Sequence, residues 1–350
     1  MSDPNTRTPP QIPSQVPSLE NASEEEIIAA FDNAAGQFDQ ARRALQRVVF
    51  GQEEVIDLTL ATLAAGGHGL LVGAPGLAKT LLVESIATVM GLSEKRIQFT
   101  PDLMPPDILG TELLEESETG QRAFRFVRGP IFAQLLMADE INRASPRTQS
   151  ALLQAMQEKF VTVAGDRHDL PDPFHVLATQ NPIEQEGTYP LPEAQLDRFL
   201  IQINVAYPDE AAERQLLKET TGTRSVSLEP VMDGTGLIAI QQLVRHMPVA
   251  ERLLDVILAI VRGARPTDDA PADIQEAVAW GPGPRASQAF SLTARALALI
   301  EGRHSPSLDD IKRLAKPVLR HRMALTFAAR AQGADVDTFI DDLVAKAVAQ

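Results

Sequence analysis

Short apolar runs alternate with stretches of helical periodicity across the middle of the chain. The apolar runs predict buried strands at residues 70–72, 135–138, 174–179 and 199–205. Between them, apolar residues at helical spacing predict helices over Thr80 to Met90 and from Ser145-Pro146 onward, where a capping Ser precedes a first-turn Pro. Strands that alternate with helices are typical of a mostly parallel sheet covered on both faces, so the predicted fold class is α/β.

Two segments depart from this alternation and predict β-hairpins. In residues 112–128, a turn at Gly120 is followed by Arg122, Phe124 and Phe126 at a spacing of two. In residues 160–170, the run Phe160-Val161-Thr162-Val163 leads into a Gly165-Asp166 turn.

The two ends of the chain differ from the middle. Residues 1–20 are rich in Pro, Ser, Thr and Gln, which predicts a disordered tail. Ser23 and the three Glu residues after it predict a capped helix that runs to about Val48. Beyond Tyr207-Pro208 we find no strong strand signal, and helices are predicted over residues 209–220, 235–246, 249–264, 287–302, 307–320 and 336–349. We therefore expect an α/β domain over residues 21–206 and an all-helical domain over residues 207–350.

Charge and composition narrow the functional classes. The formal net charge of -15 repels phosphate backbones, which disfavours nucleic-acid binding. Cysteine is absent, which excludes disulfides and thiolate chemistry. The first residues have no apolar core of the secretory type, and the most apolar stretch, Leu253 to Val261, is too short to span a bilayer. We expect a cytoplasmic protein without membrane insertion.

A glycine-rich octet lies between the first strand and the helix that follows it. It reads Gly73-Ala74-Pro75-Gly76-Leu77-Ala78-Lys79-Thr80, and Leu81 comes next. Backbone N–H groups in such a turn cradle a polyphosphate, while Lys79 contacts the β and γ phosphates and the Thr80 hydroxyl ligates Mg²⁺. Ala78 stands where a second Gly is expected. Alanine tolerates right-handed helical dihedrals, so a helix start at this position is compatible with the sequence. The alternative is an incidental Gly-Pro turn followed by a Lys on a helix.

A pair of acidic residues ends the second strand. Leu135-Leu136-Met137-Ala138 is followed by Asp139 and Glu140. Beside a phosphate loop, Asp139 would hold Mg²⁺ through water and Glu140 would polarise the attacking water. Two solvated carboxylates at a strand end are the alternative. The α/β pattern that links this strand to Lys79 favours the catalytic interpretation.

Three further polar residues are candidates for the same site. Asn181 ends the third strand, where parallel strands face a ligand crevice, and it either orients water or forms a simple Asn-Pro turn. Arg198 is either a salt-bridged surface residue or an arginine finger that acts on a neighbouring subunit. Arg285, after a Gly-Pro-rich turn, either contacts phosphate from the second domain or is simply solvated.

Taken in order, these motifs resemble the AAA+ superfamily and, within it, the MoxR family. Ala at position 78 of the loop is itself typical of that family. The resemblance covers roughly residues 25 to 345. Besides the octet, it is carried by Ala138-Asp139-Glu140-Ile141-Asn142-Arg143-Ala144, Thr148-Gln149-Ser150-Ala151-Leu152-Leu153, Ala178-Thr179-Gln180-Asn181-Pro182-Ile183-Glu184, Gly187-Thr188-Tyr189-Pro190-Leu191-Pro192-Glu193-Ala194, Leu196-Asp197-Arg198-Phe199 and Pro284-Arg285-Ala286.

The resemblance implies a P-loop core of αβα type with a parallel sheet, followed by a helical lid, and it implies ATP and Mg²⁺ as ligands. It also implies roles that spacing does not show. Asn181 is similar to sensor 1, Arg198 to the trans arginine finger and Arg285 to sensor 2. The segment Val49-Phe50-Gly51 is similar to the one that flanks the adenine, and Arg143 is expected to face a neighbouring subunit.

The resemblance further implies a homo-oligomer, a hexameric ring with ATP bound between subunits. The two predicted hairpins resemble the helix-2 insert and the pre-sensor-1 hairpin, which place the chain near magnesium-chelatase ATPase subunits. MoxR-like ATPases act as chaperones that remodel or mature other proteins, including by metal-cofactor insertion, often with a von Willebrand factor A domain partner. For this chain, that partner rests on analogy alone.

Two alternatives to an ATP-driven chaperone stay open at this point. One is the motor subunit of a metal chelatase. The other is a nucleotide-gated scaffold with little turnover, against which Glu140, Asn181 and Arg198 argue together. The acidic charge argues against a DNA motor.

Overall fold

The computed structural model describes residues 23–116, 122–183, 187–221 and 226–349. The predicted tail over residues 1–20, the predicted turn at Gly120 and residue Glu184 lie outside these ranges. The first part of the chain contains α1 (Glu24–Gln46), α2 (Glu53–Ala64), β1 (Gly69–Val72), α3 (Lys79–Val89), β2 (Glu94–Gln98), α4 (Pro105–Leu109), β3 (Gly110–Glu116), β4 (Arg122–Arg128), β5 (Leu135–Asp139), α5 (Pro146–Glu158), β6 (Phe160–Val163), β7 (Asp166–Asp169), β8 (His175–Gln180), α6 (Glu193–Leu196) and β9 (Ile201–Asn204).

The second part of the chain is helical, as predicted. It contains α7 (Glu210–Thr220), α8 (Gly234–His246), α9 (Glu251–Gly263), α10 (Ala272–Ala277), β10 (Val278–Trp280), α11 (Pro284–Ile300), α12 (Leu308–Leu319), β11 (Ala324–Leu325), α13 (Phe327–Ala331) and α14 (Val336–Val348). The short helices α10 and α13 were not predicted. The expectation of no strands here was wrong in one detail, because β10 and β11 form an antiparallel ladder. With three and two residues, these strands are too short to show an alternating pattern.

The central sheet of the described chain is parallel, with the strand order β2-β5-β8-β1-β9. Because side chains alternate across a strand, Leu135 and Met137 pack on one face of the sheet, and Leu136 and Ala138 pack on the other. This double burial explains why β5 is a continuous apolar run. The strand order brings the carboxyl ends of β1, β5 and β8 side by side.

Side-chain caps fix several helix starts. The hydroxyl of Ser23 accepts from the backbone N–H of Glu26, and the Glu26 carboxylate accepts from Ser23 in return, which forms a capping box. Ser145 caps α5 and accepts from the N–H of Thr148. The helix α3 is different, because its N-cap is Ala78 and no side chain caps it.

Both predicted hairpins are confirmed. Strands β3 and β4 pair antiparallel, and so do β6 and β7. The two hairpins touch through the rings of Phe126 and His168, whose centroids lie 3.8 Å apart in a stacked arrangement. They therefore form one projection outside the central sheet.

A single apolar cluster joins the α/β part of the chain to the helical part. It includes Leu60 and Leu63 of α2, and it continues to Ile240 of α8 and to Phe290 and Leu297 of α11. All five side chains are buried. Among the described residues, no helix combines the length and the apolar character needed to cross a bilayer.

Candidate functional site

The loop between β1 and α3 is held against the sheet by its first glycine. The N–H of Gly73 donates to the Gln180 carbonyl at 3.2 Å. A Cβ atom at Gly73 would lie 2.6 Å from the Val205 carbonyl oxygen, so no larger residue fits without a shift. Further along the loop, Gly76 has φ +80°, a conformation that favours glycine.

Ala78 adopts a left-handed conformation with φ 57° and ψ 20°, and not the right-handed dihedrals that an alanine tolerates at a helix start. A left-handed alanine costs roughly 1–2 kcal/mol, and the tight loop before α3 imposes it. The first N–H groups of α3 have no acceptor within the helix and receive none from a capping side chain. They are therefore available to an anion.

Lys79 begins α3 and folds back over the loop. Its Nζ donates to the carbonyl oxygens of Gly73 at 2.7 Å and of Ala74 at 2.6 Å. Burial lowers the pKa of Lys79, while the carboxylates of Asp139 and Glu140 act in the opposite direction. The ammonium group therefore lies within electrostatic reach of both acids.

The two acids lie at the carboxyl end of β5, beside Thr179 of β8. The Thr179 hydroxyl donates to Asp139 Oδ1 at 2.6 Å and accepts from the backbone N–H of Glu140 at 2.8 Å. Asp139 is 8% exposed. Glu140 has φ 56° and ψ 50°, a conformation that is uncommon outside glycine and that recurs at functional sites. Thr179 therefore ties the Asp139 carboxylate to the backbone of Glu140.

Two side chains of β2 also contact these acids, and neither contact was predicted from the sequence. Arg96 Nη2 donates to Asp139 Oδ2 at 2.5 Å, and Gln98 Nε2 donates to Glu140 Oε2 at 2.8 Å. Arg96 and Gln98 flank the buried Ile97, so their spacing of two was the signal that they share a strand face.

Arg143, expected at a subunit boundary, contacts its own chain. Its Nη1 donates to Glu140 Oε2 at 2.9 Å. The bonds from Gln98 and Arg143 thus converge on one oxygen of Glu140.

Asn181 follows β8 and is buried, and its Oδ1 accepts from the N–H of Ile183 at 3.1 Å. It lines the same cleft of about 450 Å³ as the loop and the acids. The other lining residues are Pro75, Gly76, Leu77, Ala78, Lys79, Thr80, Leu81, Arg96, Gln98, Asp139, Glu140 and Thr179. The structure therefore brings together the predicted loop, metal-ligating and water-polarising residues in one cleft.

The segment Val49-Phe50-Gly51 lies elsewhere, between α1 and α2. Val49 and Phe50 are buried, and Gly51 packs against Ala212 of α7. None of the three lines the 450 Å³ cleft as the described residues define it.

Arg198 and Arg285 share a second cleft of about 420 Å³, which is lined by a different set of residues. Arg198 Nη1 donates to the Leu153 carbonyl at 2.6 Å, and within the described ranges the Arg198 guanidinium makes no ion pair. Arg285 is the second residue of α11, its side chain is 47% exposed, and it lies 3.7 Å from a carboxylate oxygen of Asp197. Neither arginine lines the cleft that holds Asp139 and Glu140.

Comparison with known proteins gives a consistent picture. Residues 68–201 match the family model described as "ATPase family associated with various cellular activities (AAA)", and residues 271–343 match the one described as "AAA lid domain". The chain is 42% identical to Chaperone MoxR1 of Mycobacterium tuberculosis, over 82% of this chain and 75% of the relative. It is 30% identical to Protein MoxR of Paracoccus denitrificans, over 83% of this chain and 89% of the relative. A crystal structure of a putative ATPase from Cytophaga hutchinsonii matches with a TM-score of 0.84 and 35% identity, over 92% of this chain and 96% of that one.

Proposed function

Since the chain belongs to the MoxR family of AAA+ ATPases, we propose that it hydrolyses ATP at sites shared between neighbouring subunits of a ring. One observation carries the proposal. The phosphate loop and the acids occupy one cleft, whereas Arg198 and Arg285 occupy another. If both arginines serve hydrolysis, a second copy of the chain must bring them to the acids.

The residues of the first cleft suit a Mg²⁺-bound triphosphate. Mg²⁺ is usually held by one or two protein oxygens together with phosphate oxygens, and Thr80 and Asp139 supply such oxygens here. The described residues contain no cluster of three or more acidic or imidazole ligands, which fits a metal that arrives with the nucleotide. When bound, Mg²⁺ neutralises charge on the β and γ phosphates.

The chain's own groups then have distinct tasks. The uncapped N–H groups of α3 and the Lys79 ammonium bind phosphate oxygens. Glu140 polarises the attacking water. Gln98 and Arg143 both donate to one oxygen of its carboxylate, and these two bonds fix the orientation of the carboxylate for this task. Asn181 orients the same water from the neighbouring strand. Arg198 and Arg285 of the adjacent copy stabilise the charge that develops on the transferred phosphoryl group.

For the biological role, we propose remodelling of other proteins. One relative carries the name Chaperone MoxR1, and this favours the chaperone role over the chelatase motor. The von Willebrand A domain partner and metal-cofactor insertion remain predictions from family likeness. A gene for such a partner beside this one would favour the chaperone role, whereas genes for chelatase subunits would favour the motor.

The decisive experiment mixes two inactive variants. Arg198→Ala removes the finger, which contributes about 10³–10⁵ in rate in other systems, and Glu140→Gln removes the water-polarising group. In a one-to-one mixture with random assembly, about a quarter of the sites pair an intact Glu140 with an intact neighbouring Arg198, so activity should return to about that fraction of wild type.

The control is Arg43→Ala, which removes a surface arginine on α1 that pairs only with Asp39 among the described side chains. This variant should keep the wild-type ATPase rate, and adding it to either inactive variant should not restore activity to that variant's own sites beyond what wild type does.

Light scattering of Glu140→Gln with Mg²⁺ and ATP should show ring assembly, and a monomer at high concentration would count against the shared site. A mixture that stays at the parental rate, with subunit exchange verified, would refute it. A steady-state rate near zero for the wild type would favour the scaffold alternative.

A further inference from the structure

Arg322 is the largest side chain among those that are fully buried in the described chain. It lies in the short 3₁₀ turn Arg320–Arg322 after α12, in the lid, and is 2% exposed. An arginine carries five N–H donors in a fixed planar arrangement. All five are used here, in hydrogen bonds from Nε, Nη1 and Nη2.

Four of the five acceptors lie on one short segment, residues 197–200. Nε donates to Asp197 Oδ1 at 2.8 Å, and Nη2 donates to the carbonyls of Phe199 at 2.5 Å and Asp197 at 3.5 Å. Nη1 donates to the Leu200 carbonyl at 3.0 Å. The preceding lid residue, His321, adds a contact from its Nε2 to the Phe199 carbonyl at 3.1 Å. The lid therefore holds the backbone on both sides of Arg198.

Stability alone is a weak reason for such an arrangement. Taking an arginine and a carboxylate out of water costs several kcal/mol per ion, and well-packed apolar side chains often serve folding as well or better. What an apolar side chain cannot supply is a planar set of directed bonds that fixes the position of a particular backbone segment.

The orientation of the Arg198 side chain depends on the backbone of residues 197–200. Within the described chain its guanidinium has one hydrogen bond, from Nη1 to the Leu153 carbonyl, and its Nε has no partner there. The orientation of the side chain is therefore set largely by the backbone from Asp197 to Phe199. A displacement of about 1 Å at a reacting centre can cost about 10² in rate.

We propose that Arg322 is a positioning residue for Arg198, through which the lid sets where the finger is presented to the neighbouring subunit. The proposal rests on the trans role of Arg198 proposed above. It assigns Arg322 no contact with nucleotide. It also makes the position of Arg198 depend on the lid of its own chain.

The test substitution is Arg322→Lys, which retains a positive charge and loses the planar set of donors. We expect kcat to fall about tenfold to a hundredfold, while KM and the affinity for a fluorescent ATP analogue stay within about twofold of wild type. Arg320→Lys is the matched control, because Arg320 lies in the same turn and pairs with Asp337 of the lid rather than with residues 197–200. It should leave kcat unchanged.

A double-mutant cycle separates positioning from a general structural role. In an Arg198→Ala background, Arg322→Lys should have no further effect on kcat, because the residue through which it acts is gone. Full additivity of the two losses would overturn the proposal. Mixing Arg322→Lys with Glu140→Gln should also restore activity, since the Glu140→Gln chains carry correctly held fingers.

The failure of this proposal and the failure of the trans site give different results. If Arg198→Ala mixed with Glu140→Gln shows no rescue, the shared site is refuted and this proposal with it. If that mixture is rescued and the Arg322→Lys mixture is not, only the positioning role is refuted. Should circular dichroism show that Arg322→Lys does not fold, Arg322→Gln replaces it in the same cycle, because its amide keeps two N–H donors in one plane and leaves the carboxylate beside Arg285 in place.

Discussion

Two histidines, His175 fully buried and His68 partly buried, should make the stability of this protein fall steeply in mild acid. His68 and His175 lie near β1 and β8 with ring centroids 6.4 Å apart. His68 Nδ1 accepts from the backbone N–H of Val176, and His175 Nε2 accepts from the side-chain amide of Gln241. The other ring nitrogens face the carbonyls of Met156 and Gly67, respectively, and donate to them. A second proton on either ring would therefore point at an existing donor.

The size of the effect follows from the pKa values. Burial lowers the pKa of His68 from its ordinary value of 6.5 to about 3, and it lowers that of His175 to about 4. Both folded-state values lie below the unfolded value, so the unfolded chain binds more protons in acid and stability falls as pH falls. Between pH 7 and pH 5, each histidine lowers the free energy of unfolding by about 2 kcal/mol, so the two together lower it by about 4 kcal/mol. The pKa of buried His321 is also lowered, so it acts in the same direction.

Urea unfolding followed by circular dichroism at pH 7 and pH 5 measures this loss. The range from pH 5 to pH 7 lies above the ordinary pKa values of Asp and Glu, so protonation of histidines dominates the change in stability over this range. His68→Asn keeps an acceptor for the Val176 N–H and cannot titrate, so it should reduce the pH dependence by about 2 kcal/mol. The control His246→Gln, at an exposed position on α8, should leave it unchanged. A wild-type loss below about 1 kcal/mol would refute the reasoning.

The remaining predictions concern the phosphate loop and the acids. Lys79→Ala should weaken binding of a fluorescent ATP analogue about tenfold or more, since charged hydrogen bonds contribute about 1.5–3 kcal/mol, while Lys95→Ala, at an exposed position of β2, should not. Glu140→Gln should bind the analogue normally and hydrolyse ATP about 10²–10⁴ more slowly, and turnover within about threefold of wild type would contradict its role. Ala78→Gly should raise the free energy of unfolding by about 0.5–1 kcal/mol, because relief of the left-handed strain exceeds the entropy cost of glycine. Ala164→Gly, at φ 52° in a hairpin turn, should gain a similar amount in the same urea titration, and a loss at both positions would contradict the strain argument.

Most of the fold could be predicted because its signals are local. Ser23 and Ser145 mark helix starts by chemistry that acts within four residues, and β5 is apolar on both faces. Strand β2 was missed because Ile97 is its only buried residue, and α2 was not assigned because its burial extends nearly all round, which removes the polar stripe.

The candidate site was predictable where a motif is contiguous and unpredictable where the fold assembles it. Lys79, Asp139 and Glu140 stand in recognisable runs, but nothing near Arg96 in the sequence indicates a bond to Asp139. The same holds for Arg322, because four of its five acceptors lie more than a hundred residues earlier in the chain. The left-handed conformation of Ala78 could not be predicted, because the local preference of alanine favours right-handed dihedrals and the loop geometry overrides it.

The apolar cluster that joins α2 to α8 and α11 has a consequence for engineering. An exchangeable module needs a boundary at which few apolar contacts cross, so that a donor's segment can be grafted without repacking. Here Leu60 and Leu63 share one interior with Ile240 and Phe290. A chimaera that took its lid from a relative would therefore inherit mismatched volumes across that interior, and large-to-small mismatches in cores cost about 2–5 kcal/mol each. Grafting a foreign lid onto this ATPase requires exchanging the facing side of α2 along with it.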